Sequence, residues 1–371
     1  MLNILLYIYI VIVGIQLIYF LGIFRAFAFH VDNKKKLVKK GTPPVSVLIC
    51  AKNEADNLKK NLPAIIAQKY PDFQLVLIND ASSDNTLKIM ESFAKKHNFI
   101  KVVDVENVEP FWGNKKYALT LGIKASKYNH LLFTDADCEV SSDQWIYEMA
   151  SKFDENKTIV LGYSPYKKVK KSFLNALIRF ETLLTAIQYF SYAKIGVPYM
   201  GVGRNLAYHK SEFFNIKGFI KHMKIRSGDD DLFIKEVATP HNVAINYTVN
   251  SITLSEAEKS VKGWFQQKRR HVSTSAYYKF YHKILLGLFY SSKLLFWSLL
   301  FILSLLQFNL TLVLSLAFLR FLVQFIIYRK AFKKLHEDSL FWLVPIMELF
   351  LIIFQFAIFI ANSFSKPSHW R

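Results

Sequence analysis

LLFTDADCEV, residues 131–140, is an apolar run that ends in acids one residue apart: Asp135, Asp137 and then Glu139. Leu131 to Phe133 read as part of a buried strand, since a short apolar run bounded by polar residues suits a parallel sheet. On an extended chain residues i and i+2 point to one side, so Asp135 and Asp137 are expected to face a common ligand. Carboxylate oxygens suit a hard cation such as Mg²⁺ or Mn²⁺, and Mg²⁺ commonly takes one or two carboxylates plus phosphate oxygens. The pair therefore points to a metal holding a diphosphate, although Asp-x-Asp in isolation is more often a solvated turn.

The flanking segments repeat the form. PPVSVLICAKNE (43–54) and DFQLVLINDASSDNT (72–86) each pass from an apolar run into polar and acidic residues, and IKVVDVEN (100–107) makes a further strand. Leu87, Ile89, Met90, Phe93 and Ala94 recur at roughly helical spacing, and KKYALTLGIKAS (115–126) reads as another helix. Strands alternating with helices imply a mostly parallel sheet covered by helices. Ligands bind such sheets beyond the carboxyl ends of the strands, which is where Asn53, Glu54, Asp80, Asp135 and Asp137 fall.

In this order the segments resemble the membrane-anchored, processive-synthase-like branch of the family 2 glycosyltransferases. VSVLICAKNEADNL is similar to the family's first strand and nucleotide-binding loop, LVLINDASSDNT to VDDGSxDxT, and GNKKYALTLGI to the lysine-bearing KGKAxALNxGI. FTDADCEV is similar to the metal-binding segment and GVGRNLAYHKSEFFNIKGF (201–219) to the acceptor-side GxNxAxRRxxFxxxGGF. SGDDDLFIKEV (227–237) resembles the catalytic acidic motif and QQKRRH (266–271) resembles QxxRW. The likeness covers most of residues 43–282. The fold it implies is α/β: a GT-A catalytic domain, Rossmann-like with a mostly parallel sheet, plus α-helical transmembrane segments.

The resemblance implies a role for each matching residue. Asp80 and the loop bearing Ala51, Asn53 and Glu54 would hold the nucleoside, and Lys115 or Lys116 would meet the diphosphate at a helix start. Asp137 would ligate the metal directly, with Asp135 on the metal or the ribose, while Glu139 is read as structural and Asp84 as a helix cap or turn residue. Three adjacent acids, Asp229, Asp230 and Asp231, repel one another, so one of their pKa values should rise, as suits a general base. The family's base maps best to Asp230. Asp229 stays open because the run before Leu232 is one residue shorter than the usual EDxDL. Gln267 and Arg270 match QxxRW, with Gln266 and Arg269 as the other register; the arginine would meet the leaving pyrophosphate. His271 stands where the family has Trp, which puts stacking of a sugar at that position in doubt.

The rest of the chain speaks of a membrane. A formal charge of +20, from 48 basic and 28 acidic residues, suits nucleic acid or an anionic membrane surface. The apolar segments decide for the membrane, so no nucleic-acid partner is expected. Leu2–Phe24 carries no charge and reaches roughly 30 Å as a helix, enough to span a bilayer. With no basic residue before it, an uncleaved anchor is expected in preference to a signal peptide, although Ala26-Phe27-Ala28 resembles a cleavage site. Arg25, Lys34, Lys35, Lys36, Lys39 and Lys40 then mark a cytoplasmic end. Two further spans lie between Ile284 and Tyr328, broken near Gln307-Phe308-Asn309, and Leu340–Ala361 makes a fourth. The expected layout is an anchor at 1–28, a cytoplasmic catalytic domain at 43–282 and three membrane helices at 284–361, with both termini outside. Ser172–Val197 is strongly apolar yet carries Arg179, Glu181 and Lys194; it reads as one or two interfacial helices near 172–197 or as a core helix of the catalytic domain. Lys293, Arg320 and Glu348 fall inside spans, where charges are usually paired, and Arg320 is expected to contact Glu348. Cys50 and Cys138 carry no disulfide or zinc spacing.

The expected activity is metal-dependent, inverting transfer of a sugar from a nucleotide-diphosphate donor, with uracil the expected base, to a lipid or lipid-linked glycan at the inner (cytoplasmic) membrane. Single addition is favoured over a processive polysaccharide synthase, because only three spans follow the catalytic segment and the QxxRW tryptophan is absent. A basic, membrane-anchored binding module without catalysis explains the charge but not the ordered acids at strand ends.

Overall fold

The structure, a computed structural model, describes residues 1–31, 42–106, 114–225 and 227–365. Lys34, Lys35, Lys36, Lys39, Lys40 and Gly113 lie outside them. The chain separates into two compact units. Among the described residues, one is built from Met1–Val31, Ser172–Ile195 and 260–365, the other from the segments between.

The second unit is the sheet. Its strands are β1 (Val45–Ala51), β2 (Phe73–Asp80), β3 (Ile100–Val105), β4 (His130–Asp135), β5 (Glu139–Val140), β6 (Ile159–Gly162), β7 (Leu206–His209), β8 (Val243–Asn246) and β9 (Thr253–Leu254). Seven form one sheet in the order β3-β2-β1-β4-β7-β6-β8, while β5 and β9 make a separate antiparallel pair. Within the large sheet the pairings are parallel except those of β7, which runs against β4 and β6. The expectation of a mostly parallel sheet with helices on it therefore holds.

Register decides where function can sit. Cys50 lies beside both Ile78 and Asp135, and Ala51 beside Asn79, so β1, β2 and β4 end on one line. Phe133 pairs with Leu206 at the start of β7, so residues entering that strand arrive at the same rim. One face of the sheet is closed by Leu58, Leu62 and Ile65 of helix Ala55–Ile66 and by Trp145, Ile146 and Met149 of helix Trp145–Ala150, packed on Val47, Ile49, Leu75, Leu77 and Leu132. The helix Asn114–Ala125 approaches β2 so closely that a Cβ on Gly122 would come within 2.2 Å of Ile78 Cδ1. Glycine there fixes the height at which the helix, and the lysines of its first turn, ride on the sheet.

The other unit is helical. Among the described residues, four helices are long and apolar enough to cross a membrane: Leu2–Ala28, Phe280–Leu305, Leu310–Lys334 and Asp338–Phe364. The expected break between the second and third is a turn in which Gln307 and Asn309 take left-handed backbone angles. The three charges foreseen within the spans meet. Arg320 donates to both carboxylate oxygens of Glu348 (3.1 and 3.2 Å), and Lys293 Nζ stands 3.2 Å from the same carboxylate. Gln324 donates to Glu348 at 3.1 Å, and Arg320 also donates to Gln16 at 3.2 Å, so all four helices share one buried polar knot.

Ser172–Val197 is one helix, Phe173–Lys194, capped by Ser172 Oγ, which accepts from the Asn175 amide. It belongs to the helical unit, not to the core of the sheet unit. Its charges explain the choice. Buried Arg179 pairs with Glu337 (Nε to Oε1 3.1 Å), and buried Glu181 pairs with Lys268, both partners within that unit. Breaking a buried pair by removing one member costs about 3–5 kcal/mol. Either Arg320→Glu or Glu348→Arg alone is thus expected to lower the thermal midpoint in detergent sharply, and the double exchange to recover part of the loss. A double variant no more stable than the singles would count against the pairing.

Candidate functional site

At the rim where β1, β2 and β4 end, Cys50, Lys115, Asp135, Gly203, Tyr208, Phe219, Asp229 and Asp230 line one cavity. Lys115 is its centre of charge. Its ammonium donates to Asp135 Oδ1 at 3.1 Å and pairs with Asp229 Oδ2 at 3.2 Å. Burial works against the charge on Lys115, but Asp135 and Asp229 outweigh it and hold the ammonium well above its usual range. Burial likewise favours a neutral Asp229, yet the Lys115 ammonium outweighs it and holds that carboxyl below its ordinary value.

Asp230 follows the opposite course. Burial, and then the charges of Asp229 and Asp231, push its carboxyl up to about 7, against the pull of two backbone donors. The Gly203 amide donates to Asp230 Oδ2 and the Asp231 amide to Oδ1, both at 2.7 Å, fixing the plane of the carboxylate. Gly228, just before the run, sits at φ +92°, which side chains rarely adopt. Asp231 is turned into helix Asp231–Val237, its Oδ1 accepting from the Leu232 amide at 2.7 Å.

The aspartate pair expected to hold a metal is built differently from the sequence expectation. Asp135 closes β4, but Ala136 and Asp137 form a turn, because the Cys138 amide returns to the Asp135 carbonyl at 3.1 Å. Asn61 Nδ2 ties that turn by donating to the Ala136 carbonyl at 2.9 Å. The two aspartates are therefore related by a turn and not by strand alternation. The Asp137 carboxyl lies above its usual value through desolvation and then through the Asp135 charge. Two hard carboxylates that repel each other fit a divalent cation. Among the described residues no cluster of three or more His, Cys, Asp or Glu side chains forms a metal cage, so the rest of a cation's shell would come from ligand and water.

The adjacent lysines part company. Lys116, 2% exposed, donates to the carbonyls of His222, Ile225 and Ser227, each at 2.8 Å. It anchors the segment before the acidic run and cannot also meet a diphosphate, which corrects one of the two expected positions; its burial lowers its pKa to about 8. The nucleoside-loop candidates lie at the ends of β1 and β2. Asp80 is buried, and burial raises its pKa. Asn53 is left-handed (φ 57°) and accepts from the Ser83 amide at 2.8 Å, while the Glu54 amide donates to Thr86 Oγ1 at 2.8 Å. Ala51 is the last residue of β1. Asp84 accepts from the Thr86 amide at 2.9 Å and the Ala55 amide at 3.3 Å, so the expected helix cap serves two helices. Glu139 pairs with Lys167.

Gln267 and Arg270 lie on helix Val261–Ser273, which belongs to the helical unit. On that helix Arg269 donates to Asn362 Oδ1 (2.9 Å) and to the Ala361 carbonyl (3.1 Å). Sequence reasoning missed Arg204, whose guanidinium donates to the Ser164 carbonyl at 3.0 Å and lies 4.4 Å over the Tyr166 ring. Its signal was the GRN triplet, whose Asn205 bridges the carbonyls of Tyr163 and Ser251.

Comparison with known proteins places this geometry. Residues 46–227 match the family model described as glycosyl transferase family 2. A poly-beta-1,6-N-acetyl-D-glucosamine synthase of Staphylococcus epidermidis is 32% identical over 154 residues, 40% of this chain and 36% of the relative. One from Staphylococcus aureus is 28% identical over 167 residues, 44% of this chain and 39% of the relative. The match thus spans less than half the length of these relatives. A mannosyltransferase of Pyrobaculum calidifontis, solved with GDP-Man and Mn²⁺, shares the fold: TM-score 0.57, 17% identity, 91% of this chain and 99% of that one. Lys116→Met leaves three carbonyls without their donor and is expected to cost about 3 kcal/mol of stability, read from a denaturant midpoint.

Proposed function

We propose that this chain, whose residues 46–227 match the model of glycosyl transferase family 2, moves a sugar from a nucleotide-diphosphate donor to a membrane-borne acceptor by single displacement with inversion. The observation that carries the reading is the convergence of Lys115, Asp135, Asp229 and Asp230 on one cavity at the aligned strand ends. Asp80 and the Ala51–Glu54 loop take the nucleoside, and Lys115 meets the diphosphate. Asp137 and Asp135 would hold Mg²⁺ or Mn²⁺; bound there, the cation neutralises charge on the departing diphosphate. Asp230, held by the Gly203 and Asp231 amides, removes the proton from the acceptor hydroxyl while that oxygen attacks the anomeric carbon. Gln267 and Arg270 enter on the QxxRW resemblance alone, with Arg270 steadying the leaving group.

The relatives' names favour UDP-N-acetylglucosamine as the first donor to test. They also support a second reading, a processive synthase, which polymer length made by the reconstituted protein distinguishes from single addition. The four apolar helices support a multi-pass membrane protein, and the basic residues that follow the first of them favour a catalytic unit in the cytoplasm. The acceptor is then a lipid or lipid-linked glycan.

Donor turnover in detergent across nucleotide sugars, with and without Mn²⁺ or Mg²⁺, tests the reading. One donor is expected to respond only with metal, and Asp137→Asn to lose that response; no response to any donor by folded protein would sink the proposal. Asp230 works ionised, so turnover should climb as pH rises through about 7 and level off above. Asp230→Asn should lose about 10²–10⁴-fold. A pH profile flat around neutrality, with Asp229→Asn the more damaging change, would move the base to Asp229.

A further inference from the structure

Lys115 has a second task within the reading just proposed. Its ammonium lies 3.1 Å from Asp135, a carboxylate assigned to the metal, and 3.2 Å from Asp229 beside the base. Lys115 occupies Asp135 Oδ1, and an ammonium beside a metal-ligating carboxylate repels the incoming divalent cation, the more so where water is partly excluded. Metal binding at Asp135 therefore gains when Lys115 moves away. Its four-carbon stem allows that movement. The helix beneath it stays fixed, because Lys116 is held by three carbonyls at 2.8 Å and Gly122 packs on Ile78. The diphosphate of a donor offers the displaced ammonium a new anionic partner.

We propose that Lys115 is a built-in placeholder for the divalent cation, holding Asp135 and Asp229 together until a diphosphate draws it away. Metal and donor then bind cooperatively through one side chain, since each gains when the lysine has moved. Without a donor, the lysine keeps stray divalent cations off the site.

The inference rests on Asp135 and Asp137 as metal ligands, and Mn²⁺ binding to the full chain without donor tests it, read by electron paramagnetic resonance of the free ion. Lys115→Met is expected to bind Mn²⁺ about tenfold tighter than the natural chain. Lys115→Arg should keep the weak binding, and adding Asp137→Asn to Lys115→Met should remove the gain. UDP should raise the Mn²⁺ affinity of the natural chain and have less effect on Lys115→Met. Equal Mn²⁺ affinity in the natural chain and Lys115→Met overturns the placeholder, while UDP-dependent, Asp137-dependent Mn²⁺ binding would leave the proposed function standing. No Mn²⁺ binding in any variant, with or without UDP, overturns both. A second measurement needs no variant: saturating Mn²⁺ should raise the acylation rate of Lys115 several-fold by mass spectrometry, and an unchanged rate overturns the inference.

Discussion

Carboxylates crowded at the end of a sheet repel one another unless a cation stands among them, and the sheet unit is arranged around that requirement. Asp80, Asp135, Asp229 and Asp230 arrive from three parts of the chain because β1, β2 and β4 end in register and the acidic run returns to the same rim. Lys115 supplies the cation, and Gly122 sets the height from which it reaches. The acids then divide: Asp229 is drawn down by the ammonium, while Asp230, facing backbone amides, is driven up. Separate acids for separate tasks follow from where one positive charge sits.

The helical unit meets the same electrostatic problem by another route. Three charged side chains that no span could carry alone are closed on one another, with Gln16 and Gln324 adding hydrogen bonds to Arg320 and Glu348. In apolar surroundings an unpaired charge is so costly that the pairing also fixes which helices must be neighbours. Arg179–Glu337 and Glu181–Lys268 extend the rule to the helix Phe173–Lys194.

Much of this was legible in the residues. Continuous apolar runs such as VSVLIC and LVLI declare strands buried on both faces, and the acids that follow mark the strand ends that bind ligands. Charges within apolar spans announced their own pairing. What could not be read depended on rotation and closure. Lys115 and Lys116 are alike in sequence, but successive helical residues point about 100° apart, so one faces the acids and the other the carbonyls beneath. The period-two argument for Asp135 and Asp137 missed a turn closed by a backbone amide, which no side chain advertises. The apolar helix Phe173–Lys194 fitted two environments, and the partners of its charges, far along the chain, decided between them. Arg204 stands at an unspecified position of the pattern that residues 201–219 resemble.

The direction of β7 carries an evolutionary consequence. Because it runs against its neighbours, the rim receives loops that leave β1, β2 and β4 but a segment that enters β7, with Gly203 at its tip. Those stretches belong to different supersecondary units, with no shared hairpin or crossover forcing them to change together. Insertions before β7 can reshape one side of the cavity while the register holding the other side stays as it is, so a lineage can exchange one reactant and keep its partner.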